Sequence, residues 1–335
     1  MNTLYRVVMK GTQSIYTNHK RIELVCDDET NITHLSLNMY LDNWMPFLKK
    51  QYVCCESIPN KRIHSYFFKN TLPYRNDKYH SYKLIKVKQS PGKYHPRIYR
   101  PTLIGNTSAT NIISFNPHVM ELNQKYDLFE RMPYYRPNII KSLQQLSILI
   151  DMLKNIFNTI YPTPSNYKTY GHQVRNLLIL ACTEVDAQLK GILTTNEIKP
   201  NSDYYKTSDY VKLKKILKLD RYGVRFPYFP EIKSVSPFSK WNPKSPTKSL
   251  PWFNDYNAVK HNREDDFGKA TLINCINSVS AVAILLIAQY GNKIPHWQEL
   301  IGNFFEMTRS PRWNFEECYI PPIQGDKWFE EKIKF

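Results

Sequence analysis

From Ala281 to Tyr290 only Gln289 interrupts an otherwise apolar or aromatic run, and the run belongs to a longer hydrophobic segment starting at Phe267. A helix that is apolar at every angle cannot lie on a surface, because no side of it tolerates water. It has to be enclosed by other elements, or for part of its face by a second copy of the chain. Gly291-Asn292 follows as a C-terminal cap. The unbroken apolar run inside it, Ala281–Ala288, falls far short of the roughly 20 residues that a membrane span needs. A protein core is the expected place for this helix, and no membrane is expected as a partner.

The same half of the chain supplies helices that can enclose it. Asn138–Tyr161 carries Ile139, Leu143, Leu146, Ile150, Leu153, Phe157 and Ile160 at steps of three and four. That spacing predicts an amphipathic helix, with Pro137 beside its start and Pro162-Thr163-Pro164-Ser165 ending it. Gly171–Leu193 repeats the pattern with Val174, Leu177, Leu178, Ala181, Val185 and Leu189. A third helical region begins near Trp252, and Trp297–Met307 reads as a last helix before a loose tail. Between them lies a polar, Pro-rich insert, Thr194–Pro251, expected as an extended loop around one short basic helix at Tyr210–Leu219. Residues 137–310 are therefore expected to form an up-and-down helical bundle with insert 194–251, followed by a C-terminal tail at 311–335.

Residues 1–136 have another texture. Tyr5–Met9, Ile22–Cys26, Gln51–Cys55, Ile63–Phe68 and Tyr82–Lys88 are short runs rich in β-branched and aromatic residues, separated by polar, Pro or Asn breaks. Leu35–Lys50 fits strand or helix equally. The expected class is α+β: a β-rich N-terminal domain, suited to nucleic acid or a partner, followed by the all-α bundle.

Charge limits the partners. The 335 residues hold 46 Lys+Arg against 29 Asp+Glu, a formal charge of +17, which favours a polyanion such as RNA. The excess sits in two zones. Lys78–Met120 contains no Asp or Glu and interleaves cations with tyrosines. Lys83, Lys86, Lys88, Lys93, Arg97 and Arg100 are its candidate phosphate contacts, with tyrosine faces available to stack on bases. The second zone, Lys199–Leu250, has twelve Lys and Arg against four acidic residues, and Lys212, Lys214 and Lys215 are its candidates. A solvated basic surface explains either zone as well. The six cysteines form no CxxC pair and no zinc-spaced cluster, so they are read as reduced and structural. With 10 glycines, no phosphate-cradling Gly loop and no carboxylates at metal-ligand spacing, neither cofactor nor metal is expected. Met1–Cys26 lacks the apolar region of a signal peptide, and the expected location is cytoplasmic.

One segment carries chemistry: Trp252-Phe-Asn-Asp-Tyr-Asn-Ala-Val-Lys-His-Asn-Arg263. On a helix Asn257 and His261 share a face, and Lys260 and Arg263 lie on a neighbouring one. An imidazole moves protons near neutral pH, and a nearby cation stabilises charge on a phosphate. RNA strand cleavage needs both. The spacing alone fits a packing or capping pair as well. Tyr256-Asn257-Ala-Val-Lys260-His261-Asn-Arg263, followed by a long apolar helix, resembles the second half of a HEPN domain, a helical bundle found in prokaryotic toxins, abortive-infection proteins and RNA-guided ribonucleases. The likeness covers about Pro137–Gly291. The family pattern is Arg-x(4–6)-His, often Arg-Asn-x-x-x-His; here Asn257 and His261 match and Tyr256 stands where the Arg falls. The resemblance implies a metal-independent endoribonuclease in antiviral defence, abortive-infection or toxin-like. His261 would be general acid/base and Asn257 would orient phosphate or imidazole. Lys260 and Arg263 would stabilise the anionic transition state, Tyr256 would hydrogen-bond a phosphate, and Glu184 on the preceding helix would support the site. It also implies RNA as substrate and a homodimer or HEPN-mediated pairing, and leaves room for an operon-encoded protein partner. The alternative is a catalytically silent HEPN-like protein that binds RNA or docks a partner. A second Arg-x(4)-His, Arg75 to His80, lies in the β-rich half and is read as coincidence.

Overall fold

The computed structural model describes residues 4–10, 19–26, 36–40, 81–86, 93–100, 136–291, 294–313, 317, 319 and 328–334. In chain order the elements are β1 (Leu4–Lys10), β2 (His19–Cys26), β3 (Ser36–Tyr40), β4 (Ser81–Lys86), β5 (Lys93–Tyr94), α1 (Arg136–Thr159), α2 (His172–Thr195), α3 (Thr207–Tyr210) and α4 (Lys212–Leu217). Then come β6 (Gly223–Arg225), α5 (Pro251–His261), α6 (Arg263–Asp266), α7 (Leu272–Tyr290), α8 (Trp297–Leu300), β7 (Glu306–Arg309) and β8 (Phe329–Glu330). The expected α+β class is overturned: the described residues are 54% helical with few strands. Most of the expected β-rich half, including Gln51–Cys55, Ile63–Phe68 and the Arg75–His80 motif, lies outside the described residues.

The chain divides into two compact units. One comprises Met1–Tyr94, Arg100–Arg131 and Arg312–Glu331. Its strands form an antiparallel sheet of order β3-β2-β1-β4, with Val7 opposite Glu23 on one side and Leu84 on the other. In the same unit β5 pairs in parallel with β8, setting Tyr94 against Glu330. The other unit comprises His95–Tyr99, Met132–Pro311 and Lys332–Phe335. The segment expected as a tail, 311–335, is thus shared between the two.

The helical unit is organised around α7, in which every residue except Ile273 and Asn277 is buried. Its neighbours are α1, α2 and α5, together with β6 and a 3-10 turn at Leu219–Arg221. Helix α1 presents Ile139, Leu143, Leu146, Ile150, Leu153 and Phe157, all buried, and α2 presents Val174, Leu177, Leu178, Ala181, Val185 and Leu189. These are the apolar stripes that periodicity predicts. By length and composition α7 would suffice to cross a membrane, but it is almost wholly buried inside the protein. The first N–H groups of a helix lack intrahelical partners. In α7 the amides of Leu272 and Ile273 donate to the carbonyls of Thr169 (2.9 Å) and Tyr167 (3.1 Å), in the α1–α2 connection. Trp297–Met307 is corrected as well: the helix stops at Leu300, and Met307 lies in β7, antiparallel to β6.

The expected loop 194–251 is also corrected. Tyr210, Leu213, Leu217, Leu219, Tyr222, Val224, Phe226, Phe238 and Trp241 are all buried. Phe226 packs edge-on against Phe305 (5.0 Å between ring centres), and Phe229 against Phe157 of α1 (4.7 Å). The Trp241 indole donates to the Pro246 carbonyl at 2.9 Å. A fully enclosed Trp holds far more apolar area than a loop residue does, and its removal leaves a cavity of matching size. Trp241→Ala is therefore expected to cost about 3–5 kcal/mol of unfolding free energy, read by denaturant titration. A change within about 0.5 kcal/mol, as for a surface position, would return this segment to a solvated loop.

Candidate functional site

Helix α5 begins with Pro251 at its first turn, where a missing N–H costs nothing. Its buried residues are Trp252, Phe253, Tyr256 and Val259, one apolar stripe at steps of one, three and three. The stripe turns Lys260 and His261 to solvent and leaves Asn257 half-buried. His261 is the last residue of the helix. At Asn262 the backbone leaves helical geometry (φ −136°, ψ 73°). Its amide still reaches the Ala258 carbonyl (2.8 Å), and its side chain donates to Asp265 (2.8 Å). Arg263 therefore starts α6 and is exposed there. The shared helical face expected for Lys260 and Arg263 does not exist, because the helix breaks between them. Among the described residues no hydrogen bond or ion pair engages the side chains of Asn257, His261 or Arg263.

Tyr256, expected to meet a phosphate, is 4% exposed. Its ring packs on Phe253 (5.3 Å), which meets Trp252 (5.6 Å), Phe238 beyond it (5.9 Å) and then Trp241 (5.5 Å). It closes a five-ring aromatic row. Above it the Lys260 ammonium lies 5.5 Å from the ring centre, a cation–π distance.

The acidic residue that meets this helix is not Glu184. Asp186, two residues further along α2, accepts a hydrogen bond from the Tyr210 hydroxyl and feels the charges of Lys260 and Lys190. Burial raises the Asp186 carboxyl above its ordinary range, while the Tyr210 bond and the two lysines pull it back. The Tyr210 hydroxyl is in turn raised, by burial first and by the charge of Asp186 second. Two residues turn a helix by about 200°, so Glu184 faces another way. Its Oε1 accepts from Gln188 Nε2 (2.8 Å), Gln188 Oε1 accepts from Gln289 Nε2 (3.1 Å), and Gln289 Oε1 accepts from Arg97 Nε (2.8 Å). Arg97 also hydrogen-bonds Tyr290. The segment carrying Arg97 is fastened on both sides. Tyr99 N donates to Ala288 O (3.1 Å), and Asn196 Nδ2 to Pro96 O (2.9 Å). A Cβ at Gly191 would lie 2.0 Å from Arg97 Nη1, so a side chain there would displace the guanidinium.

The candidate RNA contacts separate into engaged and free groups. Lys93 forms an ion pair with Glu331 at 3.1 Å. Arg97 is in the row above, and Arg100, 7% exposed, lies over the Trp313 ring at 4.1 Å. Lys212 pairs with Asp209 (3.5 Å), and Lys214 donates to the Trp241 carbonyl. Lys215 is exposed. Lys83 and Lys86 lie on β4, and Lys88 is outside the described residues. Three of the six candidates in the first zone are thus engaged by other groups of the protein, Lys93 through a partly exposed ion pair. Local charge density cannot reveal this, because their partners are distant in sequence. Sequence reading did not single out Asp186; the one local signal is its place beside core Val185 and one helical turn before Lys190. Among the described residues no three His, Cys, Asp or Glu are grouped to hold a metal ion.

Comparison with protein-family models gives no match. Comparisons with curated proteins and with solved structures give none either.

Burial is the leading cause that raises the Glu184 carboxyl above its ordinary 4.5, with Gln188 and Arg97 opposing. A carboxyl raised by folding favours the protonated state. Its contribution is complete below about pH 4.5 and is lost as pH rises through the folded value. Glu184→Gln keeps the shape and cannot ionise, so its melting temperature should gain on the wild type between pH 4 and pH 7. A melting difference that does not change with pH would contradict a carboxyl raised by partial burial at this position.

Proposed function

We propose that the chain is a metal-independent endoribonuclease of the HEPN type, acting in the cytoplasm in antiviral, abortive-infection or toxin-like defence. The observation that carries this reading is the placement of His261: solvent-facing at the end of α5, next to exposed Lys260, with exposed Arg263 two residues further along the chain. A histidine serving only the core would be enclosed and bonded to a buried carbonyl. In the reaction, an imidazole removes the proton of the ribose 2′-OH, and that oxygen attacks the adjacent phosphorus. The bond to the 5′-oxygen breaks, leaving a 2′,3′-cyclic phosphate, and an imidazolium returns a proton to the departing oxygen. Lys260 and Arg263 offset the extra negative charge on the pentavalent phosphate. Asn257 orients the phosphate or the ring. Asp186 takes the supporting place first given to Glu184, since its carboxylate feels the charge of Lys260. Each chain offers one such imidazole, and pairing of two chains would supply the second.

The burial of Tyr256 favours a second reading. The position where the family's Arg is expected holds a ring packed into an aromatic row, which suits a domain that binds RNA or docks a partner without cutting.

His261→Ala is expected to lower RNA cleavage in EDTA by about 100-fold or more, the usual worth of a general acid/base, while RNA affinity holds. Equal cleavage by wild type and variant would refute the enzyme reading. RNA binding by the wild type with no cut ends under any condition would establish the silent alternative.

A further inference from the structure

We infer that the folded loop Phe238–Leu250 is a preformed docking surface for the phosphate backbone of single-stranded RNA, held by Lys240, Lys244 and Lys248. The inference rests on RNA as the partner of the proposed site. From Ile232 to Asn254 the sequence has four lysines and no Asp or Glu. Lys240, Lys244 and Lys248 are exposed, and among the described residues no carboxylate pairs with them. This contrasts with Lys93, Arg97, Arg100, Lys212 and Lys214, each of which is already engaged by another group of the protein.

The loop is built rather than loose. Trp241, fully buried, is its anchor. The Trp241 indole donates to Pro246 O, Asn242 N to Ser249 Oγ (2.8 Å), and Lys244 N to Asn242 Oδ1 (3.0 Å). Ser245 N reaches Asn242 O (3.1 Å), and Ser249 N reaches Ser245 O (2.9 Å). From outside, Lys214 donates to the Trp241 carbonyl and the Trp252 indole to Pro237 O (3.1 Å). Closed on itself this way, the loop presents three cations with its backbone already ordered, so binding has little conformational entropy left to lose. Unpaired lysines give a polyanion counterion-release affinity that carries no sequence preference. Leu250 leads directly into α5, and His261 lies about 15 Å along that helix at 1.5 Å per residue. A single strand held on the loop is thus within a few nucleotides of the imidazole.

The test is the triple variant Lys240→Gln/Lys244→Gln/Lys248→Gln, with anisotropy of a fluorescein-labelled 20-nucleotide RNA titrated against salt. Each single-strand phosphate contact contributes about 0.7 to the slope of log K against log salt. Losing three should flatten the slope by about 2 and weaken binding about 100-fold at 0.1 M salt, with the melting temperature unchanged. Unchanged slope and affinity in the triple variant, while wild type binds RNA, would overturn the loop assignment and leave the proposed function standing. Failure of the wild type to bind RNA would overturn both. Phosphatidylserine vesicles held through the three lysines, with RNA affinity unaltered, would also overturn the loop's assignment to RNA.

Discussion

Enclosure of Leu272–Tyr290 is the condition on which the rest of the helical unit depends. A helix buried at 17 of its 19 positions needs a neighbour in every direction, and each enclosed Val, Leu or Ile contributes roughly 1.5–3 kcal/mol relative to an exposed one. Helices α1, α2 and α5 cover part of it, and β6 with the Leu219–Arg221 turn contributes more. The insert is therefore structural. It supplies apolar surface that three amphipathic helices do not. Both ends of α7 are tied down in the same spirit. Backbone carbonyls of Tyr167 and Thr169 take its first amides, and Gly291, at φ +86°, ends it against the Tyr99 ring. A Cβ at Gly291 would sit 2.6 Å from that ring, so glycine is required both by conformation and by space.

Gln289 is the one strongly polar side chain in the apolar second half of α7, and it is 3% exposed. A buried amide needs partners for both its oxygen and its nitrogen. Arg97 can only donate and an ionised Glu184 can only accept, so the two amides between them have one consistent orientation. Arg97 donates to Gln289, Gln289 to Gln188, and Gln188 to Glu184. Reversing either amide would set donor against donor or acceptor against acceptor. The row fixes the register of α2 against α7 and holds the 95–99 segment in place. Such a network is stable only while every member is satisfied. That is why Arg97 belongs to the architecture of this unit and not to an RNA surface.

The parts of the fold visible in the sequence are those set by local periodicity. The stripes of α1 and α2 and the apolar run of α7 lie within a few residues of their expected limits, because their burial follows from helical spacing alone. The insert escaped this reading because its core residues are isolated. Phe238 and Trp241 stand singly among Lys, Pro and Ser, and the partners of the insert's core residues, such as Phe305 for Phe226 and Trp252 for Phe238, are set by tertiary packing. The helical tract expected to run to Met307 failed for a related reason: Glu306–Arg309 pairs with β6, and a partner strand overrides weak local preference. At the candidate site, spacing placed Asn257, Lys260 and His261 on one helix but could not see the break at Asn262. Nor could it separate Glu184 from Asp186, which differ by two residues yet face opposite sides of α2.

Tyr256, at the position where the HEPN resemblance implies an Arg, is committed to packing. A guanidinium there would replace the last ring of the Trp241–Phe238–Trp252–Phe253–Tyr256 row with a charge that burial penalises heavily. Cationic character appears instead one turn later, at Lys260, where the ammonium is exposed, sits over the Tyr256 ring and has Asp186 nearby. The exchange is not neutral. An Arg grips a phosphate with a planar, two-pronged set of donors, whereas a Lys offers a mobile point charge. A phosphate at this site would be attracted next to His261 without being fixed in angle, and angle is what in-line displacement demands. On the proposed reading, orientation would come from Asn257, half-buried on the same helix, or from a strand held on the proposed lysine surface before α5.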